Sequence, residues 1–360
     1  MPRIDKLLEI VKQASATDLH LVAGSMPMIR INSNLEKTHH RILTNENIRD
    51  LIYELLTDKQ IKSFEEKGDF DFAYGIEGVA RVRIGVYQTH SGMAVAIRLI
   101  PEKTPNLEDL GFPSTVKKLA ENKSGLVLVT GPTNSGKTTT LAAMIDHINT
   151  NYCRHIISLE DPIEYIHHNK NSLISQRQVG LHAESFATGL RASLREDPDV
   201  IMIGEMRDTE TISLAVTAAE IGLLVMGTLH TCTAAATVDR IIDVFPADQQ
   251  QQVRIMLADS ISGVISQQLV RRADGGGRMA AYELMLRSTS ISSLIREGKA
   301  YQIPNAIQTG AKSGMQLLDN HLKEMVDGKL INSHEAIRVA TNPSYFNDVT
   351  TSQKLSGAMS

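Results

Sequence analysis

Eight consecutive residues carry the clearest chemistry: Gly131, Pro132, Thr133, Asn134, Ser135, Gly136, Lys137 and Thr138 fit the pattern G-x-x-x-x-G-K-[ST]. Glycines let backbone N–H groups close on phosphate oxygens, Lys137 adds a full positive charge, and the Thr138 hydroxyl suits Mg²⁺. Further on, acids and a histidine follow apolar runs: Glu160, Asp161 and Glu164, then Glu205, then His230. Singly, each acid reads equally as a helix cap or a solvated loop, and His230 as a packed loop histidine. Their shared place behind one phosphate loop favours a site that holds Mg²⁺ and positions a water opposite the γ-phosphate.

Such a site needs strands that end in one place. Residues 125–130 form a β-branched apolar run before the loop. Residues 139–148 after it place Leu141, Met144, Ile145 and Ile148 along one side of a helix. Strands at 155–159, 200–203 and 223–229 end at the acids and the histidine. Alternating strands and helices give an α/β fold with a mostly parallel sheet, whose ligands sit beyond the carboxyl ends of the strands. A helix over 186–194 sets Arg191 and Arg195 on one face, suited equally to a neighbour or to solvent. From Asp248 the pattern predicts helices over 249–258 and 261–269, a strand over 279–285, and helices over 291–297, 303–309 and 315–326.

The first hundred residues read differently. Helices are predicted over 5–14 and 45–56, the second capped by Thr44 with Asn47 at its third position. Strands are predicted over 19–22, 28–31, 69–74, 80–87 and 94–100. Arg81 and Arg83 fall on the face opposite Val82, Ile84 and Val86, and Arg98 points away from Val95, Ile97 and Leu99. Periodicity alone favours a solvated face for the three arginines over a phosphate-facing patch. Pro101 and Pro105 mark a linker and a domain boundary.

Over 360 residues the net charge is −4, which argues against a protein built chiefly to grip nucleic acid. Cys153 and Cys232 are the only cysteines, too few for a four-cysteine zinc site. The amphipathic start is unlike a signal peptide, and no window approaches the ~20 apolar residues of a membrane span. A cytoplasmic chain is expected, meeting the membrane only through a partner.

With these motifs assembled, the chain resembles the secretion-type hexameric ATPases and, within them, the PilT-type pilus retraction ATPases, from Thr17 to about residue 340. The resemblance rests on four boxes in order. They are the Walker A loop; the acidic box Leu159-Glu160-Asp161-Pro162-Ile163-Glu164; an atypical Walker B from Asp197 to Asp208; and the histidine box Gly227-Thr228-Leu229-His230-Thr231.

It implies a PAS-like α+β N-terminal domain over 1–100 and a RecA-like P-loop motor domain over 111–340; the prolines set a linker over 101–110, and polar, serine-rich composition predicts a disordered tail over 341–360. It further implies a homohexamer with ATP and Mg²⁺ held between the domains. Lys137 would bind phosphate, Thr138 and Glu205 would serve Mg²⁺, and Glu164 would orient or deprotonate the attacking water. His230 would sense the γ-phosphate, Glu160 and Asp161 would line the nucleotide site, and Arg81, Arg83 and Arg98 would reach the nucleotide.

The implied function is retraction of type IV pili, hence twitching motility, through an inner-membrane platform protein. Extension-type relatives carry a four-cysteine zinc element that two cysteines cannot supply. The stretch from Leu294 to Lys299, with Gln302-Ile303-Pro304 and Gln308-Thr309-Gly310, is similar to the retraction signature. Ser290-Ile291-Ser292-Ser293 departs from the usual Ala-Ile-Arg-Asn, as do Leu223 and Gln88-Thr89-His90 from family residues at their positions. These departures suggest a diverged paralogue. An accessory, PilU-like ATPase working with other pilus ATPases is the nearest alternative. A nucleic-acid translocase and a nucleotide-binding scaffold without turnover are more distant ones.

Overall fold

A computed structural model describes residues 2–14, 16–31, 34–76, 80–100 and 104–346. The chain divides into two compact units: Met1–Thr104 with Pro162–Ile166, and Pro105–Asp161 with His167–Ser360. Residues 101–103 of the expected linker lie outside the described residues, as do 347–360 of the expected tail.

The first unit runs α1 (Ile4–Gln13), β1 (Asp18–Val22), β2 (Met28–Ile31), β3 (Asn34–Lys37), α2 (Asn45–Tyr53), α3 (Asp58–Lys67), β4 (Asp69–Ile76), β5 (Ala80–Thr89) and β6 (Gly92–Ile100). Its strands form one sheet in the order β3-β2-β1-β6-β5-β4, with every neighbouring pair antiparallel. Ile4, Leu8 and Val11 of α1 join Val82, Ile84 and Val86 of β5 in one core. Alternation along β5 therefore leaves Arg81 and Arg83 on the other face, with Arg83 directly opposite Arg98 on β6. The helix predicted over 45–56 is α2, ending at Tyr53, and an unpredicted α3 follows; each starts in a reciprocal cap, Thr44 with Asn47 and Thr57 with Gln60. Exposed β3 has no alternation to signal it.

The second unit runs α4 (Ser114–Glu121), β7 (Gly125–Thr130), α5 (Lys137–Asn151), β8 (His155–Glu160), β9 (Leu173–Gln178), α6 (Phe186–Ser193), β10 (Val200–Ile203), α7 (Thr209–Glu220), β11 (Leu224–Leu229), α8 (Ala234–Asp243), α9 (Gln250–Ser260), β12 (Ile261–Arg271), β13 (Arg278–Leu286), α10 (Thr289–Arg296), α11 (Ile303–Thr309), α12 (Leu318–Asp327) and α13 (Ser333–Val339). The sheet order is β13-β12-β7-β11-β10-β8-β9. All its pairs are parallel except β12 with β13. Leu126 and Leu128 of β7 face one apolar cluster and Val127 and Val129 the other, so the strand is buried on both sides. Each of these side chains contributes about 1.5–3 kcal/mol by leaving water.

One expectation is corrected here. Residues 261–269 are strand β12, not a helix. A short apolar run buried on both faces looks alike in either state, and Ile261, Val264 and Ile265 are β-branched residues suited to the sheet. At the start of the expected tail, residues 341–345 are exposed, yet the described stretch is tied down at both ends. The N–H groups of Thr341 and Asn342 donate to the Asp319 carboxylate, and Phe346 is buried.

Candidate active site

Strand β7 delivers the chain to Gly131 at φ 145°, where a Cβ would come 2.2 Å from the carbonyl oxygen of Gln267. Only glycine fits so close an approach. Pro132, Thr133 and Asn134 form the exposed tip, with Asn134 at φ 64°, and Gly136 at φ 88° turns the chain into α5. The first turn of α5 then points its free N–H groups at the loop.

Lys137 folds back over this loop, its Nζ donating to the carbonyls of Gly131 at 2.8 Å and Pro132 at 3.1 Å. Burial lowers its pKa, against the opposing pull of Glu205. Thr138, one residue on, is half-buried. The Ser135 hydroxyl is buried with no hydrogen-bond partner. A loop that excludes a Cβ at Gly131, orphans one hydroxyl and presents an ammonium fits a phosphate chain. Thr138 and Glu205 supply the hard oxygen donors that suit Mg²⁺.

Across the sheet, β10 and β11 run parallel with Ile203 beside Gly227. The Thr228 hydroxyl donates to the Gly204 carbonyl at 2.6 Å, and the Met206 N–H donates to the Thr228 carbonyl at 3.0 Å. This stitching of the two strand ends brings His230 Nε2 to 2.9 Å from Glu205 Oε1. Arg207 donates to Glu205 Oε2 at 2.6 Å. Burial disfavours the Glu205 carboxylate, but the Arg207 hydrogen bond and charge, with His230, outweigh it and hold the pKa below the usual value. Asp208 caps a helix: its carboxylate accepts from the N–H and hydroxyl of Thr211 at the start of α7.

The acidic box is split. Glu160 ends β8 with its carboxylate buried, accepting from Ser158 at 2.6 Å and from Gln176 at 2.9 Å. That bonding clamps β8 to β9. Asp161 is exposed and raises the pKa of Arg207 by its charge, after the larger effect of Glu205. Glu164 belongs to the first unit. There Arg83 lies 3.9 Å from Glu164 and donates to Asp71 at 3.3 Å. Arg81 donates twice to the Ile163 carbonyl, at 3.2 and 3.1 Å, and Arg98 donates to Asp18 at 3.0 Å. The three arginines thus have named partners, while the Arg83 side chain stays half-exposed and that of Arg98 exposed. On α6, Arg191 pairs with Glu210 of α7.

Sequence reasoning missed Arg207 as the partner of Glu205, and Thr228 as the stitch between the strands. It also missed Ser266, Gln267 and Glu283. Polar residues inside an apolar run were their one signal, and the helical misreading of 261–269 obscured the first two.

Comparison with known proteins follows the same outline. The profile described as "Type II/IV secretion system protein" matches residues 1–336. The chain is 47% identical over 343 residues to the type IV pilus retractation ATPase PilT of Pseudomonas aeruginosa, covering 95% of this chain and 99% of the relative. It is 46% identical over 321 residues to a twitching motility protein of Neisseria gonorrhoeae, covering 89% and 86%. Among solved structures, the pilus retraction motor PilT with bound ADP superposes with a TM-score of 0.85 at 44% identity, covering 94% of this chain and 98% of that one.

Proposed function

The chain belongs to the type II/IV secretion system protein family, and on that premise we propose that it is an ATP-hydrolysing motor that retracts type IV pili. The single observation that carries this reading is the phosphate loop with Lys137 folded into it, beside a Glu205–His230 pair held at adjoining strand ends. The names of its full-length relatives supply the direction of work.

In this reading the loop N–H groups and Lys137 bind the β- and γ-phosphates, and Thr138 and Glu205 hold Mg²⁺. The metal, when bound, neutralises charge on the phosphate oxygens. Glu164 orients the attacking water and accepts its proton. His230 reads the γ-phosphate, fixed in direction by Glu205. Arg81, Arg83 and Arg98 add positive charge for the phosphates, and Asp161 steadies Arg207. Catalysis is then chiefly positioning and charge neutralisation.

Six copies form the working ring, which acts on a platform protein at the cytoplasmic face of the inner membrane. No helix of the described residues is long and apolar enough to cross a membrane, so attachment through that partner agrees with the fold.

The test is expression of the intact chain and of Lys137→Ala in a strain lacking its main retraction motor. Twitching restored by the first and not by the second supports the reading. Hydrolysis by the purified chain without restored twitching assigns it an accessory role instead, and stimulation by DNA that collapses with salt points to a translocase.

A further inference from the structure

Strand β12 lies between β7 and β13, and two of its polar residues are buried beneath the phosphate loop. The Ser266 hydroxyl is 2.8 Å from that of Thr130, the last residue of β7. Gln267 Nε2 donates to the Ser135 carbonyl at 2.7 Å, while its Oε1 accepts from the Thr140 hydroxyl of α5 at 2.9 Å. Gln267 is 1% exposed, and Ser135 and Thr140 are each 2% exposed. One amide therefore ties the loop and the helix behind it to a strand 132 residues further along the chain.

The geometry points to Gln267 as a positioning residue for nucleotide binding, an inference that rests on the ATPase reading and adds a residue to it. The argument is the planarity of the peptide unit. In a trans peptide the C=O of one residue and the N–H of the next point in opposite directions. Holding the Ser135 carbonyl toward Gln267 aims the Gly136 N–H the other way, into the loop where phosphate oxygens sit. The grip is close, since a Cβ on Gly136 would stand 3.1 Å from Gln267 Nε2.

The task needs a group that both donates and accepts, as an amide does. A group that donates to a carbonyl and accepts from a hydroxyl cannot be an ionised carboxylate, which only accepts, nor an alkyl chain, which does neither. Gln267→Leu leaves the Ser135 carbonyl and the Thr140 hydroxyl without their partner and frees the Ser135–Gly136 peptide to turn. Gln267→Glu sets a carboxylate oxygen against the Ser135 carbonyl until it is protonated, when its O–H restores the donor.

The experiment titrates the purified full chain and its variants with a fluorescent ADP analogue, alongside steady-state ATPase and thermal unfolding without nucleotide. Gln267→Leu and Thr140→Val should weaken ADP binding, the first by about tenfold or more, and raise KM more than they lower kcat. Gln267→Glu should bind ADP more weakly than the parent at about pH 8, and the gap between the two should close toward about pH 6. Ile265→Val, a buried apolar change on the same strand, should lower the unfolding temperature and leave the Kd unchanged.

A folded Gln267→Leu that binds ADP within about twofold of the parent overturns the inference. So does Ile265→Val if it weakens binding equally at equal loss of stability. Should Gln267→Leu not fold, a parent-like Kd in both Thr140→Val and Gln267→Glu at the higher pH overturns it as well. Failure of the parent itself to bind ADP or hydrolyse ATP would instead remove the ATPase reading beneath it.

Discussion

Glu205 Oε1 and His230 Nε2 meet at 2.9 Å because β10 and β11 run in parallel register, Ile203 beside Gly227, and are stitched beyond that point by Thr228. The contact fixes the direction of the His230 ring, as a carboxylate does for a functional imidazole elsewhere. The carboxyl ends of two apolar central strands thereby carry a polar pair with defined geometry.

Glu205→Gln should lower kcat by about two to three orders of magnitude, with a smaller effect on nucleotide affinity. The same variant has a stability signature. The folded pKa of Glu205 lies below 4.5, so its stabilising contribution is complete above that ordinary value and fades as pH falls through the folded one. Unfolding temperatures across about pH 3 to 6 should fall less steeply for Glu205→Gln than for the parent.

Glu283 is expected to behave with the opposite sign. Its Oε1 accepts from the N–H of Ala234 at 2.7 Å, anchoring the start of α8 just after the His230 loop. Burial raises its pKa above 4.5, against that hydrogen bond. Folding disfavours its charged form, so stability declines as pH rises from the ordinary value through the raised one. Glu283→Gln keeps an acceptor without the charge and should gain unfolding temperature over the parent as pH rises. Glu283→Leu leaves the Ala234 N–H unpaired and should cost about 1–3 kcal/mol, read from urea unfolding.

Two half-buried histidines predict an acid limb at milder pH. His321 Nδ1 accepts from the Tyr282 N–H at 3.2 Å, and burial lowers its pKa to about 4. Burial lowers His167 likewise to about 4. Both are neutral in the fold and titrate at about 6.5 when unfolded. The unfolded chain binds more protons between those values, so stability should fall as pH drops from about 6.5 toward 4. Urea midpoints measured across that interval check it, and His321→Gln should flatten the slope.

Asn134 occupies φ 64°, a left-handed conformation that asparagine tolerates and glycine adopts freely. Asn134→Gly should leave hydrolysis intact and change stability by under about 1 kcal/mol. Asn134→Val should raise the KM for ATP, because a β-branched residue resists that backbone.

The retraction signature shows how a departure in sequence is absorbed. Ser292 is buried on α10, and its hydroxyl donates to the Ala258 carbonyl at 2.9 Å, joining α10 to α9. A small hydroxyl makes that helix contact directly, which accounts for serine at this position in structural terms.

The sequence by itself determined what is local. The spacing of Gly131, Gly136, Lys137 and Thr138 dictates a phosphate loop, because turn, charge and helix start all lie within eight residues. Alternation placed Arg81, Arg83 and Arg98 on one face, since side-chain direction in a strand has period two. Tertiary structure decided everything that depends on a neighbour. It made 261–269 a strand, because residues buried on both faces lose the periodicity that distinguishes strand from helix. It turned Glu160 into a clamp, Asp208 into a cap and Glu205 into the partner of His230, because a carboxylate's role follows from the donors around it. It also set Gln267 beneath the loop it braces, a contact across more than a hundred residues that no window of the chain contains.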